Sequence, residues 1–153
     1  MEYAQTLPIL LLTLIGLIDT AQLVLLYSQM DHVVREAGNL TSRGDQVDEA
    51  WTTILAGQSA LDLTARGQMI FTSIGRCGGT NCITSQTTRG VRTHITSQVG
   101  NVGDVPVLPR PITLSAGETI TVVEAAYDFN PLINAPSILG FSFPTFIRRT
   151  SYF

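Results

Sequence analysis

Lysine is absent from this 153-residue chain, and charge of either sign is sparse: nine arginines and twelve acids, 14% of the residues in all. The arginines stand singly except for Arg148-Arg149. No basic stripe exists to neutralise a run of phosphates, so nucleic acid is not an expected partner. Cysteine and histidine are scarcer still. Cys77, Cys82, His32 and His94 are too few soft ligands for a closed zinc site, and neither a metal nor a cofactor is expected. A hydrolytic constellation is missing as well, because neither His lies in a recognisable motif, and Asp48 and Glu49, being adjacent, point to different sides of a helix. No enzyme activity is expected. The tripeptide Arg43-Gly44-Asp45 and the sequon Asn39-Leu-Thr41 are short enough to be incidental.

Arginine is also missing before residue 35. A secretory signal peptide opens on a basic stretch and ends at a small-residue cleavage site, and this amino end has no such pattern. The cytoplasmic anchor of the positive-inside rule is missing with it. Two alternatives follow: a basic leader has been removed, or insertion uses another signal.

What the chain does contain is one concentrated apolar segment. Leu7 to Tyr27 reads LPILLLTLIGLIDTAQLVLLY, about the length that spans a hydrocarbon core at 1.5 Å per residue. Pro8 falls in the first turns of the expected helix, where few carbonyls lie behind it to be lost. Asp19 interrupts the run. An ionised Asp near the bilayer centre costs about 2.5–3.5 kcal/mol on insertion scales, so it is expected to face protein rather than lipid. Thr13, Gly16 and Thr20 recur at i, i+3 and i+7 beside it, a weakly polar stripe suited to a neighbouring helix. Beyond the apolar run, Met30, Val33, Ala37 and Leu40 continue a helical period while Asp31, His32, Arg35 and Glu36 take other faces. One long helix from near Glu2 to near Gly44 accounts for both halves, about 60 Å in length.

The expected division is therefore an anchor and assembly helix over residues 1–44 and an extracytoplasmic α+β head over residues 45–153. Asp45 is placed to cap a second helix through Val47, Trp51, Ile54 and Leu55, ending near Gly57. Residues 59–66 read either as a further helical turn or as a connection. Gln68 to Ile74 reads as a strand, followed by Cys77-Gly-Gly-Thr-Asn-Cys82 and a second strand from Ile83 to about Thr88, which makes a hairpin. The two Cys flank its turn and are expected to form a disulfide in an oxidising compartment. Residues 100–111, with three Pro and two Gly, read as an extended surface loop. A strand is expected from Glu118 to Phe129, with Val123, Ala125, Tyr127 and Phe129 facing the long helix and Glu124 and Asp128 on the other side. The last segment supports one more strand, which Pro144 confines to an edge or splits. This order implies an α+β fold: a long N-terminal helix on a small antiparallel sheet.

These residues resemble the TadE/TadF-like minor pilins of tight-adherence (Flp, type IV-related) systems. The resemblance is carried by Glu2-Tyr3-Ala4, Leu7-Pro8 with the leucine-rich run, Gly16-Leu-Ile-Asp19 and Val34-Arg-Glu-Ala-Gly38, with a weaker echo in Val122 to Leu132, VVEAAYDFNPL. It implies a pilin-like fold, a structural part in assembling a pilus, and Glu2, Tyr3, Pro8 and Asp19 as assembly residues. Glu2-Tyr3 matches the acid and aromatic pair of that family, although the acid stands second here and not fifth. The implied partners are other pilin or pseudopilin subunits through the helix, the inner-membrane assembly platform and the lipid bilayer. Two alternatives remain at this stage, a main filament subunit and a single-span envelope protein with a ligand- or partner-binding head.

Overall fold

The computed structural model describes residues 3–57, 61–91, 95–132 and 144–153. Helix α1, Tyr3–Ser42, is continuous through Pro8, as the position of that residue in the first turns predicts. It stops where Gly44 takes a positive φ of 99°, a conformation open to glycine at little cost. Helix α2, Val47–Gly57, carries Asp48 and Glu49 in its first turn, where they complement the helix dipole. The residue before it is Gln46, whose carbonyl accepts the Ala50 N–H at 3.0 Å, so the helix opens one residue later than a cap at Asp45 would place it.

The short helix α3, Leu63–Arg66, is capped by Asp62, whose Oδ1 accepts the Ala65 N–H at 3.0 Å and the Thr64 hydroxyl at 2.7 Å. Of the ambiguous stretch, residues 63–66 form one helical turn, residues 61–62 lead into it, and residues 59–60 lie outside the described residues. Strand β1, Gly67–Cys77, and strand β2, Thr80–Gly90, form the expected hairpin. Both run further toward the turn than their β-branched segments predict. The reason is local: Gly78 and Gly79 both have positive φ, 59° and 104°, the two-residue turn whose twist lets strands pair up to its edges. Cys77 pairs with Thr80 and Gly75 with Cys82. The cysteines are thus offset by two pairs along the ladder rather than directly opposed, yet their Cα atoms lie 5.7 Å apart and the disulfide is formed, a spacing ordinary for such a bridge.

Strand β3, Ile120–Asp128, pairs antiparallel with β1, and β4, Phe146–Tyr152, pairs antiparallel with β3. The sheet order is β2-β1-β3-β4. Pro144 lies before β4, which is an unsplit edge strand, one of the two outcomes its sequence allows.

The two faces of this sheet are covered differently. On one face Met69, Phe71, Val123, Ala125, Tyr127 and Ile147 meet Met30, Val33, Val34 and Ala37 of α1, with Ile54 from α2, Leu63 from α3 and Leu61 from the connection before α3. On the other, Ile74, Ile83 and Val122 are covered by Val99 and Leu114 from the connection between β2 and β3. That connection is the expected surface loop, but it is tied down: the Ile83 N–H donates to the Asp104 carbonyl at 3.0 Å and the Gly103 N–H to the Ile83 carbonyl at 2.9 Å. The whole is an α+β domain, a long apolar-ended helix on a four-stranded antiparallel sheet.

Candidate membrane and assembly surface

Helix α1 changes its surroundings along its length. Side chains from Thr6 to Leu14 are exposed on every face of the helix, Leu7 at 67% among them. Among the described residues no element of the head covers this stretch. From Leu26 onward one face is sealed: Leu26, Met30, Val33, Val34 and Ala37 are buried against the sheet, the stripe that its period predicts. The helix is long and apolar enough to cross a membrane, and this fits a single-span membrane protein.

Between the two halves stands Asp19, fully buried although its neighbours Ile18 and Thr20 are exposed. Its Oδ1 accepts the Leu132 N–H at 2.8 Å. The expectation that this acid faces protein holds for the folded chain, and the protein it faces is its own head. Two fragments singled out separately in the sequence, Gly16-Leu-Ile-Asp19 and Asn130-Pro-Leu132, are in this way brought together. The polar stripe beside Asp19 is quieter than its composition suggests. The Thr13 hydroxyl donates to the Leu10 carbonyl and that of Thr20 to the Gly16 carbonyl, each at 2.8 Å, so both donors are spent within the helix. A Cβ added at Gly16 would meet nothing within 4 Å.

Of the other sequence-predicted assembly residues, Tyr3 is the first residue of α1 and Pro8 lies on its bare stretch. Glu2 lies outside the described residues, as does His94. Among the described residues no group of His, Cys, Asp and Glu has the arrangement of a metal site.

Three features, two in the helix seat and one on the opposite face of the sheet, were not legible in the sequence. At the end of the apolar run the Arg149 guanidinium stacks over the Tyr27 ring, 4.6 Å from its centroid, and its Nε lies 3.0 Å from Asp31 Oδ1. A tyrosine closing an apolar run is a legible interface signal, but the arginine comes from the other end of the chain. Arg148, one residue earlier on β4, points to the opposite face by strand alternation. There its Nη2 donates to Glu124 Oε1 at 2.7 Å. Glu124 is buried and also accepts the Gln98 N–H at 2.9 Å and the Ser97 hydroxyl, so it stitches the loop to the sheet rather than facing solvent. The third feature is Gly38. Phe153 lies against it so closely that an added Cβ would overlap the ring.

Residues 1–39 match the family model described as TadE-like protein, which is consistent with a protein of the tight-adherence pilus system. The match covers the bare half of α1, Asp19 and most of the helix seat. No curated protein and no solved structure matches the chain.

Proposed function

We propose, from the premise of a TadE-like amino-terminal region, that this chain is a minor pilin-like structural subunit of a tight-adherence pilus or secretion apparatus. In this reading α1 holds it in the bacterial inner membrane, the sheet domain stands on the extracytoplasmic side, and the subunit contributes to pilus assembly or initiation and to surface attachment. The observation that carries the reading is the bare apolar half of α1, which lies within the matched residues. A helix with leucines on every side has no stable place in water. Lipid satisfies it during storage, and the helices of other pilin or pseudopilin subunits satisfy it after extraction at the inner-membrane assembly platform.

Glu2 and Tyr3 are proposed to register neighbouring subunits, since a carboxylate that meets another chain's terminal amine in low dielectric gains more than it would in water. Pro8 keeps the first turns of the helix compatible with that packing. Asp19 contributes by fixing the helix to the head, so that a pull on one is transmitted to the other.

The test is cell shearing followed by fractionation. A small amount of the protein in the sheared filaments, and loss of piliation on deletion of its gene, are expected. Recovery with the membrane alone, in cells whose pili do not depend on the gene, would reject the proposal. Bulk abundance in the filaments would replace the minor role with that of main subunit. A Glu2→Ala variant that assembles normally would remove Glu2 from the mechanism.

A further inference from the structure

The position of Asp19 constrains how deep the head sits. A hydrocarbon core is about 30 Å thick. The apolar stretch before Asp19, Thr6 to Ile18, supplies only about 20 Å at 1.5 Å per residue, and the polar residues Glu2 and Gln5 do not extend it at the other end. To fill the core the immersed segment must continue to about Leu25. Val24 and Leu25 are suited to this, each 62% exposed on the side of α1 away from the head. Tyr27 and its stacked Arg149 then fall at the membrane surface, where an aromatic ring and an arginine are at home.

Asp19 lies six residues below Leu25, about 9 Å inside that surface. Whatever touches Asp19 is at the same depth, and Leu132 touches it. The Leu132 side chain is 65% exposed, and the sequence from Phe129 to Ile147 contains no charged residue. An apolar side chain presented outward at that level is continuous with the exposed leucines of the span.

We infer that the head stands with a foot in the bilayer: the turn at Asn130-Pro131-Leu132, seated on Asp19, enters the boundary between headgroups and acyl chains, and Leu132 contacts lipid. The Leu132 N–H and the Asp19 carboxylate satisfy each other there, as groups removed from water must. The span is therefore one helix along its first half and helix plus foot near the outer surface. This inference rests on the membrane reading of α1.

Single-cysteine variants test it in the full chain: Leu11→Cys, Leu132→Cys and, on the exposed loop far from α1, Val102→Cys. Each is labelled with an environment-sensitive fluorophore without reduction, so that the Cys77–Cys82 bond is kept, and reconstituted in phosphatidylcholine vesicles containing a lipid with a nitroxide close to its headgroup. Because a foot of this kind lies about 5–10 Å into the boundary layer, the label at 132 is expected to be quenched at least about threefold more than that at 102. Quenching at 132 no greater than at 102, with the label at 11 reached by a nitroxide deeper in the acyl chain, would overturn the foot and leave the span standing. If no nitroxide lipid quenches the label at 11, the membrane reading fails and the foot with it. Leu132 is exposed, so its substitution does not depend on repacking the core.

Discussion

The two halves of α1 are built from the same kind of residue and hold the same backbone conformation, yet one is bare and the other is sealed. Leucines at 7, 10, 11, 14 and 17 are exposed, whereas Met30, Val33 and Ala37 have no exposed surface. Hydrophobicity alone does not separate them. What does is the distribution around the helix: the first half is apolar on every side and fits an apolar solvent, while the second places its acids, His32 and Arg35 opposite the apolar stripe and fits a sheet. Helix α1 thus belongs to two environments at once, with Asp19 at the change.

A charge placed in each half breaks this comparison most strongly. Val33→Arg buries an unpaired guanidinium in the core between α1 and the sheet, at a cost of about 3–5 kcal/mol by analogy with breaking a buried pair, a large part of the stability of a small domain. Urea unfolding in detergent, followed by Trp51, which packs on this core, is expected to show a large drop in midpoint. Leu11→Arg is expected to leave that midpoint unchanged and instead to impair membrane insertion, by less than the roughly 2.5–3.5 kcal/mol of a charge at the helix centre because Leu11 lies off that centre. Equal midpoint shifts would mean that the halves are not distinct.

Glycines allow a gentler comparison. Gly38→Ala forces the Phe153 ring off the helix and is expected to cost about 1–3 kcal/mol, as overpacking does. Much of this should return when Phe153→Ala is added. Gly16→Ala has room and is expected to stabilise the helix by up to about 1 kcal/mol. Destabilisation at 16 in detergent would reveal a contact of the bare half with its own head.

Asp19→Ala acts at the boundary. The Leu132 N–H loses its acceptor, worth about 1–3 kcal/mol for a buried donor, and hydrogen exchange at Leu132 is expected to accelerate roughly ten- to hundredfold while β1 and β3 exchange as before. Unchanged exchange at Leu132 would show that Asp19 does not hold the foot.

Much of this was legible in the sequence because it repeats with a period. The stripe of Met30, Val33 and Ala37 and the alternation of Val123, Ala125 and Tyr127 predict which faces meet. Pro144 predicts an edge strand or a split one, and two glycines between two cysteines predict a turn. Groups that are satisfied by a distant part of the chain were not legible. Glu124 alternates as a solvent-facing residue should, yet it is buried by a loop whose path no local pattern encodes. Asp19 announces that it needs a partner but not that a backbone N–H 113 residues away supplies it. Gly38 resembles a family motif, and only the ring of Phe153 explains why a side chain does not fit there.

The smallest expected effect separates the halves by pH. Asp62 caps the turn that carries Leu63, and Leu61 and Leu63 both lie in the core beneath the sealed half of α1. The Thr64 hydroxyl and then the Ala65 N–H hold its carboxyl below the usual carboxylate range. A carboxyl whose folded value is depressed stabilises the fold above its unfolded value, about 3.9 for Asp, and that contribution is lost as the pH falls through the lower folded value. Asp62→Ala is therefore expected to lower the urea midpoint slightly at neutral pH, and the difference from the parent should close as the pH is taken down through the carboxylate range. Between Thr6 and Ile18 the bare half has no titratable residue, so retention of the protein in vesicles should not follow this curve. A difference between variant and parent that stayed constant with pH would mean that Asp62 acts by its shape and not by its charge, and vesicle retention that fell with the same pH dependence would tie the bare half to the head's folding after all.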